Sequence, residues 1–310
     1  MAINPTVSII IPAHNVAPYI GETLASVMVQ RFTDYEVIVV NDGSTDETEA
    51  ALAPFRDRIV YLWQENRGVS SARNAALRVA RGRYIALLDG DDIWLPGYLK
   101  TLVARLEGDE KMDIVYPNAI FFGSPRWEGK LFMDTYPSRE PVTFEKLLTR
   151  ECVVFISSMF RREAAEEAGG FDETLGACED FDMWLRMAQR GFRFSFTTEP
   201  LVRYRRRSSS LSSDEMKMPS NLIKVYEKVM ANLQTTPRQR ELIAPRIAEM
   251  RAQLNRVLSK RMIAARDFAG AAHHLALAND YYHSVKLTLV TAGLRVAPWL
   301  VAKLVERQST

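Results

Sequence analysis

The sequence predicts an α/β protein: a mostly parallel β-sheet with helices on both faces, followed by a helical C-terminal region. Over residues 7–88, short apolar, β-branched runs alternate with segments in which apolar residues recur every three or four positions. Such alternation is typical of parallel sheets whose strands are connected by helices. After residue 213 only the helical spacing remains. We therefore expect a first domain over residues 1–213 and an all-helical region over 214–310.

The strands of the first domain are predicted from continuous apolar runs, because a strand buried on both faces carries few polar residues. These runs cover residues 7–11, 36–40, 59–63 and 84–88, and looser runs follow at 114–122 and 153–160. Helices are expected between the first four runs. Pro18 lies near the start of one helix, Ser70 or Ser71 caps another, and Gly82 follows its end.

Composition and charge exclude several classes of protein. The chain carries 40 Lys and Arg against 38 Asp and Glu, so it offers no general attraction for nucleic acids. Cys152 and Cys178 are too few for a disulfide framework and favour a reducing compartment. No basic leader precedes a long apolar stretch, and residues 287–302 are shorter than the roughly 20 apolar residues that span a bilayer. We expect a protein of the cytoplasm or of the inner membrane face.

The stretch YIALLDGDDIW at residues 84–94 is the strongest indication of a site. A predicted strand runs directly into Asp89, Asp91 and Asp92, whose negative charges repel one another. A divalent cation, Mg²⁺ or Mn²⁺, would offset that repulsion and bridge a diphosphate, since these ions bind one or two carboxylates together with phosphate oxygens. The acidic turn therefore predicts a metal-assisted diphosphate site.

Other polar residues follow the ends of neighbouring predicted strands. His14 and Asn15 come after the first strand, and Asp42 comes after the second. Ligands of parallel sheets bind beyond the carboxyl ends of the strands, so these side chains are expected along one rim with the acidic turn. A carboxylate only accepts hydrogen bonds, so Asp42 would select an N–H or O–H edge of a base or ribose.

Seven motifs, in their order along the chain, resemble those of family 2 glycosyltransferases of GT-A fold. They are IIIPAHN, VIVVNDGSTDET, ENRGVSSARNAAL, YIALLDGDDIW, GGFDE, CEDFDMWLRM and YRRRSSSLS, spread over residues 5–213. The resemblance implies a GT-A domain that transfers a sugar, with inversion, from a nucleoside diphosphate, UDP most often. The implied acceptor is a hydroxyl of a saccharide, lipid-linked or other molecule, in the synthesis of a bacterial polysaccharide or glycoconjugate.

The resemblance also implies roles for residues on the donor side. Asp42 would hold the base, Asp89 and Asp91 would contact the ribose or the ion, and Asp91 and Asp92 would be the ion ligands. The implied donor-binding residues are Pro12, His14, Asn15, Asp42, Arg73, Asn74, Asp89, Asp91 and Arg207. Family members often carry histidine at the position of Arg207. Since arginine does not ligate a cation, we expect Arg207 to bind the diphosphate, unless RRRSSS is only a mobile basic loop.

On the acceptor side, the resemblance implies that Asp180 is the catalytic base, with Glu179 beside it and Trp184 lining the acceptor site. A carboxylate can take the proton of an acceptor hydroxyl, which is a poor nucleophile at neutral pH. Asp180 is preferred to Asp182 because a helix that begins there would direct its first turn into the cleft. Asp182 is alternatively a solvated helix residue.

Two other functions are compatible with the residues. An apolar strand followed by DxD also fits a metal-dependent phosphohydrolase with Asp89 as nucleophile, but that interpretation leaves Asp42 and residues 179–182 without a role. A non-catalytic nucleotide-sugar-binding protein is the second, because Arg207 departs from the family pattern. A calcium loop is excluded, since Ile93 breaks the ligand spacing after Asp89 and Asp91, and Pro96 follows where the loop should continue.

The helical C-terminal region has two features of its own. Residues 265–280 resemble half of a tetratricopeptide-type hairpin, which cannot bury its apolar face alone. The segment 287–305, with Lys286, Arg295, Lys303 and Arg307 in and around it, predicts either a core or homodimer helix or a helix on an anionic membrane surface.

Overall fold

The structure is a computed structural model that describes residues 4–207, 210, 213–232 and 234–301. The chain divides into two compact units, Met1–Ser208 and Ser209–Thr310. The first unit is the α/β domain and the second is helical.

The first unit is built on one mixed sheet, which in the described residues has the strand order β3-β2-β1-β4-β7-β6-β8-β5. The strands are β1 Val7–Ala13, β2 Tyr35–Asp42, β3 Val60–Gln64, β4 Tyr84–Leu87, β5 Ile93–Trp94, β6 Ile114–Phe122, β7 Met159–Arg161 and β8 Phe194–Arg205. The four strands β3, β2, β1 and β4 are parallel neighbours. This half of the sheet confirms the predicted alternation of strands and helices.

The other half of the sheet is less parallel than the sequence predicts. Strand β7 runs antiparallel to both β4 and β6, and β5 runs antiparallel to β8, whereas β6 and β8 are parallel. Of the apolar run at 153–160, only the end enters a strand. Val154 and Phe155 are buried but lie outside any strand. The run is apolar because its side chains fill the core, not because it forms a long strand.

Helices flank the sheet. They are α1 Ala17–Met28, α2 Thr48–Leu52, α3 Val69–Val79, α4 Tyr98–Gly108, α5 Phe132–Thr135, α6 Phe144–Leu148, α7 Arg162–Ala168 and α8 Glu179–Gln189. Helix α1 has proline in its first turn, as predicted. Helix α3 begins after Gly68, whose φ of 89° favours glycine. Ser70 and Ser71 are therefore buried within the first turn of α3 and are not its caps.

The register of the sheet brings the predicted site residues to one edge. In the pairing of β1 with β2, Ala13 lies opposite Asn41, and in the pairing of β1 with β4, Ile10 lies opposite Leu87. The carboxyl ends of these three strands are therefore adjacent. His14 and Asn15 follow the end of β1, Asp42 is the last residue of β2, and the turn 89–92 comes one residue after β4.

The second unit consists of helices that pack on one another through small and aliphatic residues. They are α9 Lys217–Asn232, α10 Pro237–Ala264, α11 Phe268–Tyr282 and α12 Val285–Val296. Thr236 and Gln239 form a capping box at the start of α10. Ile263 of α10, Ala271 and Leu275 of α11, and Leu294 of α12 share one core. The segment 265–280, predicted as half of a hairpin, therefore buries its apolar face against α10 and α12. Within the described residues, no helix has the length and apolarity to cross a membrane.

Candidate functional site

The acidic turn packs tightly against the loop that follows β1. A Cβ atom at Gly90 would lie 3.0 Å from the carbonyl oxygen of Pro12 and 3.2 Å from a methyl group of Val16, so this position has little room for a side chain. The backbone N–H of Asp92 donates to the carbonyl of Asp89 and closes the turn. The glycine of DGDD therefore holds the carboxylates against the edge of β1.

Arg73 connects the acidic turn to the start of α8. It is 2% exposed, and its guanidinium is 2.7 Å from the carboxylate of Asp89 and hydrogen-bonded to that of Glu179. Burial lowers the pKa of Arg73, but the charges of Asp89 and Glu179 outweigh burial and raise it above its usual range. A permanent positive charge thus joins two carboxylates that are 90 residues apart in the sequence.

Asp180 lies beside this ion-paired group. It is half-buried in the first turn of α8, which begins after Cys178 in a left-handed conformation, and its carboxylate accepts a 2.7 Å hydrogen bond from the N–H of Phe181. Burial and then the charge of Glu179 raise the pKa of Asp180 to about 6, while Arg73 opposes the rise. A carboxylate with this pKa is suited to accept a proton near neutral pH.

Asp182 has a different environment from Asp180. It is buried, and the guanidinium of Arg186 lies 2.7 Å from its carboxylate. Arg186 also donates to the carbonyl of Ala168, just before the GGFDE loop, and to that of Gly170 within it. Asp182 is therefore a buried anchor and not a solvated helix residue.

Asp91 is held by an arginine from the end of β8. Its carboxylate is 2.6 Å from the guanidinium of Arg207, and its carbonyl accepts a 2.7 Å hydrogen bond from Arg205. Burial and the charge of Asp89 raise the pKa of Asp91, and Arg207 opposes them. Arg207 thus contacts the carboxylate of Asp91, which was predicted to bind the ion.

Asp92 lies inside the domain, contrary to its expected role as an ion ligand. It is fully buried, and one carboxylate oxygen accepts a 2.8 Å hydrogen bond from the backbone of Arg205. Its other oxygen is also buried and has no partner in the structure. Burial, then Asp91 and Asp89, raise the pKa of Asp92 well above its usual value. Asp92 ties the acidic turn to β8 and presents no oxygen to the surface.

The chemistry of this donor set fits a hard divalent cation only in part. Among the described residues there is no group of three or more His, Cys, Asp or Glu side chains that could hold a metal. Mg²⁺ and Mn²⁺ complete their coordination with phosphate oxygens, so one or two carboxylates are sufficient. Asp91 is the best placed to supply one, with Asp89 beside it, and Arg207 already neutralises part of its charge.

The carboxylate of Asp42 is engaged within the protein. It accepts hydrogen bonds from the side chain of Gln64 at 2.7 Å and from the backbone N–H groups of Arg67 at 3.0 Å and Gly68 at 2.8 Å. Asp42 thereby holds the loop that leads into α3, the helix that carries Arg73. A nucleotide base would have to share these carboxylate oxygens.

The loop after β1 is organised by His14 and Asn15, which are exposed. His14 Nδ1 is 2.8 Å from the carbonyl oxygen of Asp42, and Asn15, with φ of 52°, accepts a 2.9 Å hydrogen bond from the backbone of Thr45. Pro12 is the β1 residue that packs on Gly90. These residues join the ends of β1 and β2 to the acidic turn.

Asn74 and Trp184 do not lie where the sequence predicts. Asn74 pairs with both backbone groups of Phe171, at 2.8 and 2.9 Å, and so pins the GGFDE loop instead of facing a nucleotide. Trp184 is 1% exposed and packs edge-on against Phe160 and Phe194 in the core. It is on the inner face of α8, so it cannot line an acceptor site.

Sequence reasoning missed the part played by Arg205. Its guanidinium bonds to Asp91 and to Glu22 at 2.6 Å, and lies over the rings of Tyr19 and Phe122. The signal was present in the run YRRR, which was interpreted through Arg207 alone. With Arg207, Arg205 surrounds Asp91 with positive charge.

Comparison with known sequences shows the family. The family model described as glycosyl transferase family 2 matches residues 8–169. TuaG of Bacillus subtilis, a glycosyltransferase provisionally assigned to teichuronic acid biosynthesis, is 31% identical over 233 residues, which are 73% of this chain and 88% of TuaG. The chondroitin synthase of Escherichia coli is 33% identical over 190 residues, 60% of this chain but 27% of that enzyme.

Solved glycosyltransferases share the fold. TarS 1–349 of S. aureus, in complex with UDP-GlcNAc, has a TM-score of 0.64 at 16% identity. The superposition covers 94% of this chain and 91% of the TarS chain. The mannosyltransferase PcManGT of Pyrobaculum calidifontis, in complex with GDP-Man and Mn²⁺, has a TM-score of 0.60 at 22% identity, covering 98% of this chain and 87% of that one. The predicted GT-A architecture with a helical C-terminal region is confirmed. The chain belongs to glycosyltransferase family 2.

Proposed function

We propose that this glycosyltransferase inverts the anomeric centre of a nucleoside-diphosphate sugar, with Asp180 as the general base. One observation carries the proposal: Arg73 joins Asp89 of the acidic turn to Glu179, so that Asp180, with a pKa of about 6, lies next to the turn. The base and the diphosphate site would then share one rim of the sheet.

The donor would lie along the edge where β1, β2 and β4 end. Arg205 and Arg207 would stabilise the diphosphate as it leaves, because guanidinium groups bind phosphate oxygens bidentately. A bound Mg²⁺ or Mn²⁺, held by Asp91 with Asp89 beside it, would supply further positive charge to that leaving group. UDP is the favoured nucleotide, since TarS is solved with UDP-GlcNAc, although PcManGT is solved with GDP-Man.

The transfer itself follows from the placement of the base. Asp180 would take the proton of the acceptor hydroxyl while the hydroxyl oxygen attacks the anomeric carbon opposite the departing diphosphate. A single displacement inverts that carbon. General base catalysis by a positioned carboxylate contributes about 10²–10⁴-fold. The acceptor is proposed to be a saccharide or lipid-linked hydroxyl of a bacterial polysaccharide or glycoconjugate, in keeping with the names of TuaG and chondroitin synthase.

Neither alternative function is favoured by the contacts. In a phosphohydrolase Asp89 would be the nucleophile, but its carboxylate is ion-paired with the permanently charged Arg73. A non-catalytic protein would need no carboxylate with a raised pKa beside the acidic turn, whereas Asp180 is such a group. Activity measurements separate these cases.

The proposal is tested by donor binding and turnover together. A thermal-shift series with UDP, GDP and dTDP, each with Mn²⁺ and with EDTA, is expected to show stabilisation by UDP first, because a ligand of the folded state raises the melting temperature. UDP-sugars are then tested for release of UDP. Binding of a nucleoside diphosphate without release from any donor would support a non-catalytic protein. No binding at all would contradict the proposal.

A further inference from the structure

Helix α12 presents an apolar stripe to solvent. Val285 is 75% exposed, Leu289 67% and Val296 86%, and Ala292 lies on the same side. At about 100° per residue these four positions fall within about 60° of one another around the helix axis. The opposite side of α12, with Leu287, Val290 and Leu294, packs on the core of α10 and α11. The apolar stripe is therefore additional to the face that holds α12 in the second unit.

Cations flank this stripe on both sides. Lys286 and Arg295 are exposed, and each lies about 60° beyond one margin of the stripe. Trp299, 66% exposed, and Leu300 follow the helix closely. Between residues 281 and 301 the sequence contains no Asp or Glu, so every formal charge of this segment is positive.

We propose that α12 and residues 297–300 bind the surface of an anionic phospholipid bilayer, with the apolar stripe in the interface and Lys286 and Arg295 at the headgroups. An apolar stripe between cations is the pattern of a helix that lies in the plane of a membrane. Long basic side chains place their charge at the headgroups while their stems cover apolar surface, and tryptophan favours the same depth.

A second copy of the chain fits this surface less well than an anionic membrane does. If two copies met through the same stripe, Lys286 and Arg295 of each would face the same segment 281–301 of the other copy, which contains no acidic residue. An anionic headgroup layer supplies the missing negative charge. Lys303 and Arg307, which were predicted to belong to the same basic segment, lie outside the described residues.

Vesicle flotation tests the proposal with the full chain. Wild type is expected to float with phosphatidylglycerol–phosphatidylcholine vesicles and to bind pure phosphatidylcholine at least tenfold more weakly. The triple variant V285S/L289S/V296S is expected to lose at least tenfold in binding. The variant K286Q/R295Q should lose about 10- to 30-fold, because each cation near an anionic surface contributes to binding, and 0.5 M salt should have a similar effect.

A matched control removes two exposed valines of the first unit, V29S/V79S, and should bind vesicles as wild type does. All variants are checked for unchanged helix content by far-UV circular dichroism and for an unchanged melting temperature without ligand, so that loss of vesicle binding is not loss of folding. Absence of wild-type binding to anionic vesicles at low salt would overturn the proposal. Vesicle binding by the triple variant equal to that of the control would also overturn it. So would sedimentation velocity showing a wild-type dimer that the triple variant does not form, if wild type does not bind vesicles.

Discussion

Asp180 and Asp182 are two residues apart, but their neighbours give the two carboxylates different environments and therefore different roles. Asp182 is ion-paired with Arg186, which in turn bonds to the backbone of the GGFDE loop at Gly170. Asp180 has Glu179 beside it and Arg73 only at longer range, so its pKa rises to about 6. The sequence motif contains both residues, but only the fold distinguishes the anchor from the candidate base.

Replacing Asp180 with asparagine is expected to reduce turnover about 10²–10⁴-fold while UDP still binds, because the amide cannot take a proton. The folded-state pKa is above the ordinary value of 3.8. Ionising Asp180 is therefore less favourable in the folded chain than in the unfolded chain. Its contribution to the free energy of unfolding falls as pH rises from about 4 to about 6 and stays low above that. At pH 8 the variant should melt no lower than wild type. A large loss of UDP binding would show that Asp180 holds the donor instead.

The activity of wild type should depend on the ionisation of Asp180. Because the pKa of Asp180 is raised to about 6, kcat/KM should fall about tenfold per pH unit below that value and level off above it. Initial rates between pH 4.5 and 8.5 measure this dependence. An acid limb centred near pH 4 would mean that a carboxylate with an ordinary pKa, and not Asp180, is the base.

Arg73 is the residue on which the site's geometry depends most. Arg73→Met would leave Asp89 and the buried Glu179 without their common partner, so we expect the free energy of unfolding to fall by about 3–5 kcal/mol. Urea unfolding measures this loss. Arg193→Met, which removes an exposed ion pair with Asp109, is the control and should cost less than about 1 kcal/mol. Equal losses in the two variants would contradict the role given to Arg73.

At the scale of elements, the parallel half of the sheet was predictable because its strands are buried on both faces and separated by helices. The predicted runs 7–11, 36–40 and 84–88 agree with β1, β2 and β4 to within two residues. In the other half, the predicted run 114–122 coincides with β6, but β8 was not predicted. Strands β5 and β7 were also missed, since they have two and three residues and such short strands form only through their partners. The motifs located the rim, but the roles of Asp42, Asn74 and Trp184 depend on contacts between distant elements that spacing does not reveal.

The contact between α3 and the GGFDE loop is the element-scale feature most open to test. Asn74→Ala removes two hydrogen bonds to Phe171 and should lower stability by about 1–3 kcal/mol. Amide exchange should accelerate across residues 169–175, and kcat should fall more than donor affinity, because the loop supports the start of α8. Val79→Ala, exposed on the same helix, should change neither quantity. Unchanged exchange in Asn74→Ala would show that other contacts hold the loop.

At the scale of the whole molecule, two units carry different surfaces. The first unit gathers carboxylates and arginines at the edge of a sheet. The second unit presents an apolar stripe between cations. If the first transfers sugars and the second binds a membrane surface, acceptors that are anchored in that membrane would be brought to the protein without a spanning helix in its described part.

The claim at the centre of this account is a single displacement on a nucleoside-diphosphate sugar, and the anomeric configuration of the first product tests it most directly. Wild type is incubated without acceptor with the α-linked UDP-sugar that gives the largest thermal shift, and water serves as the nucleophile. Early ¹H NMR spectra should show the free β-sugar and UDP before mutarotation. The α-sugar as first product would contradict inversion, and sugar 1-phosphate would indicate a phosphohydrolase instead.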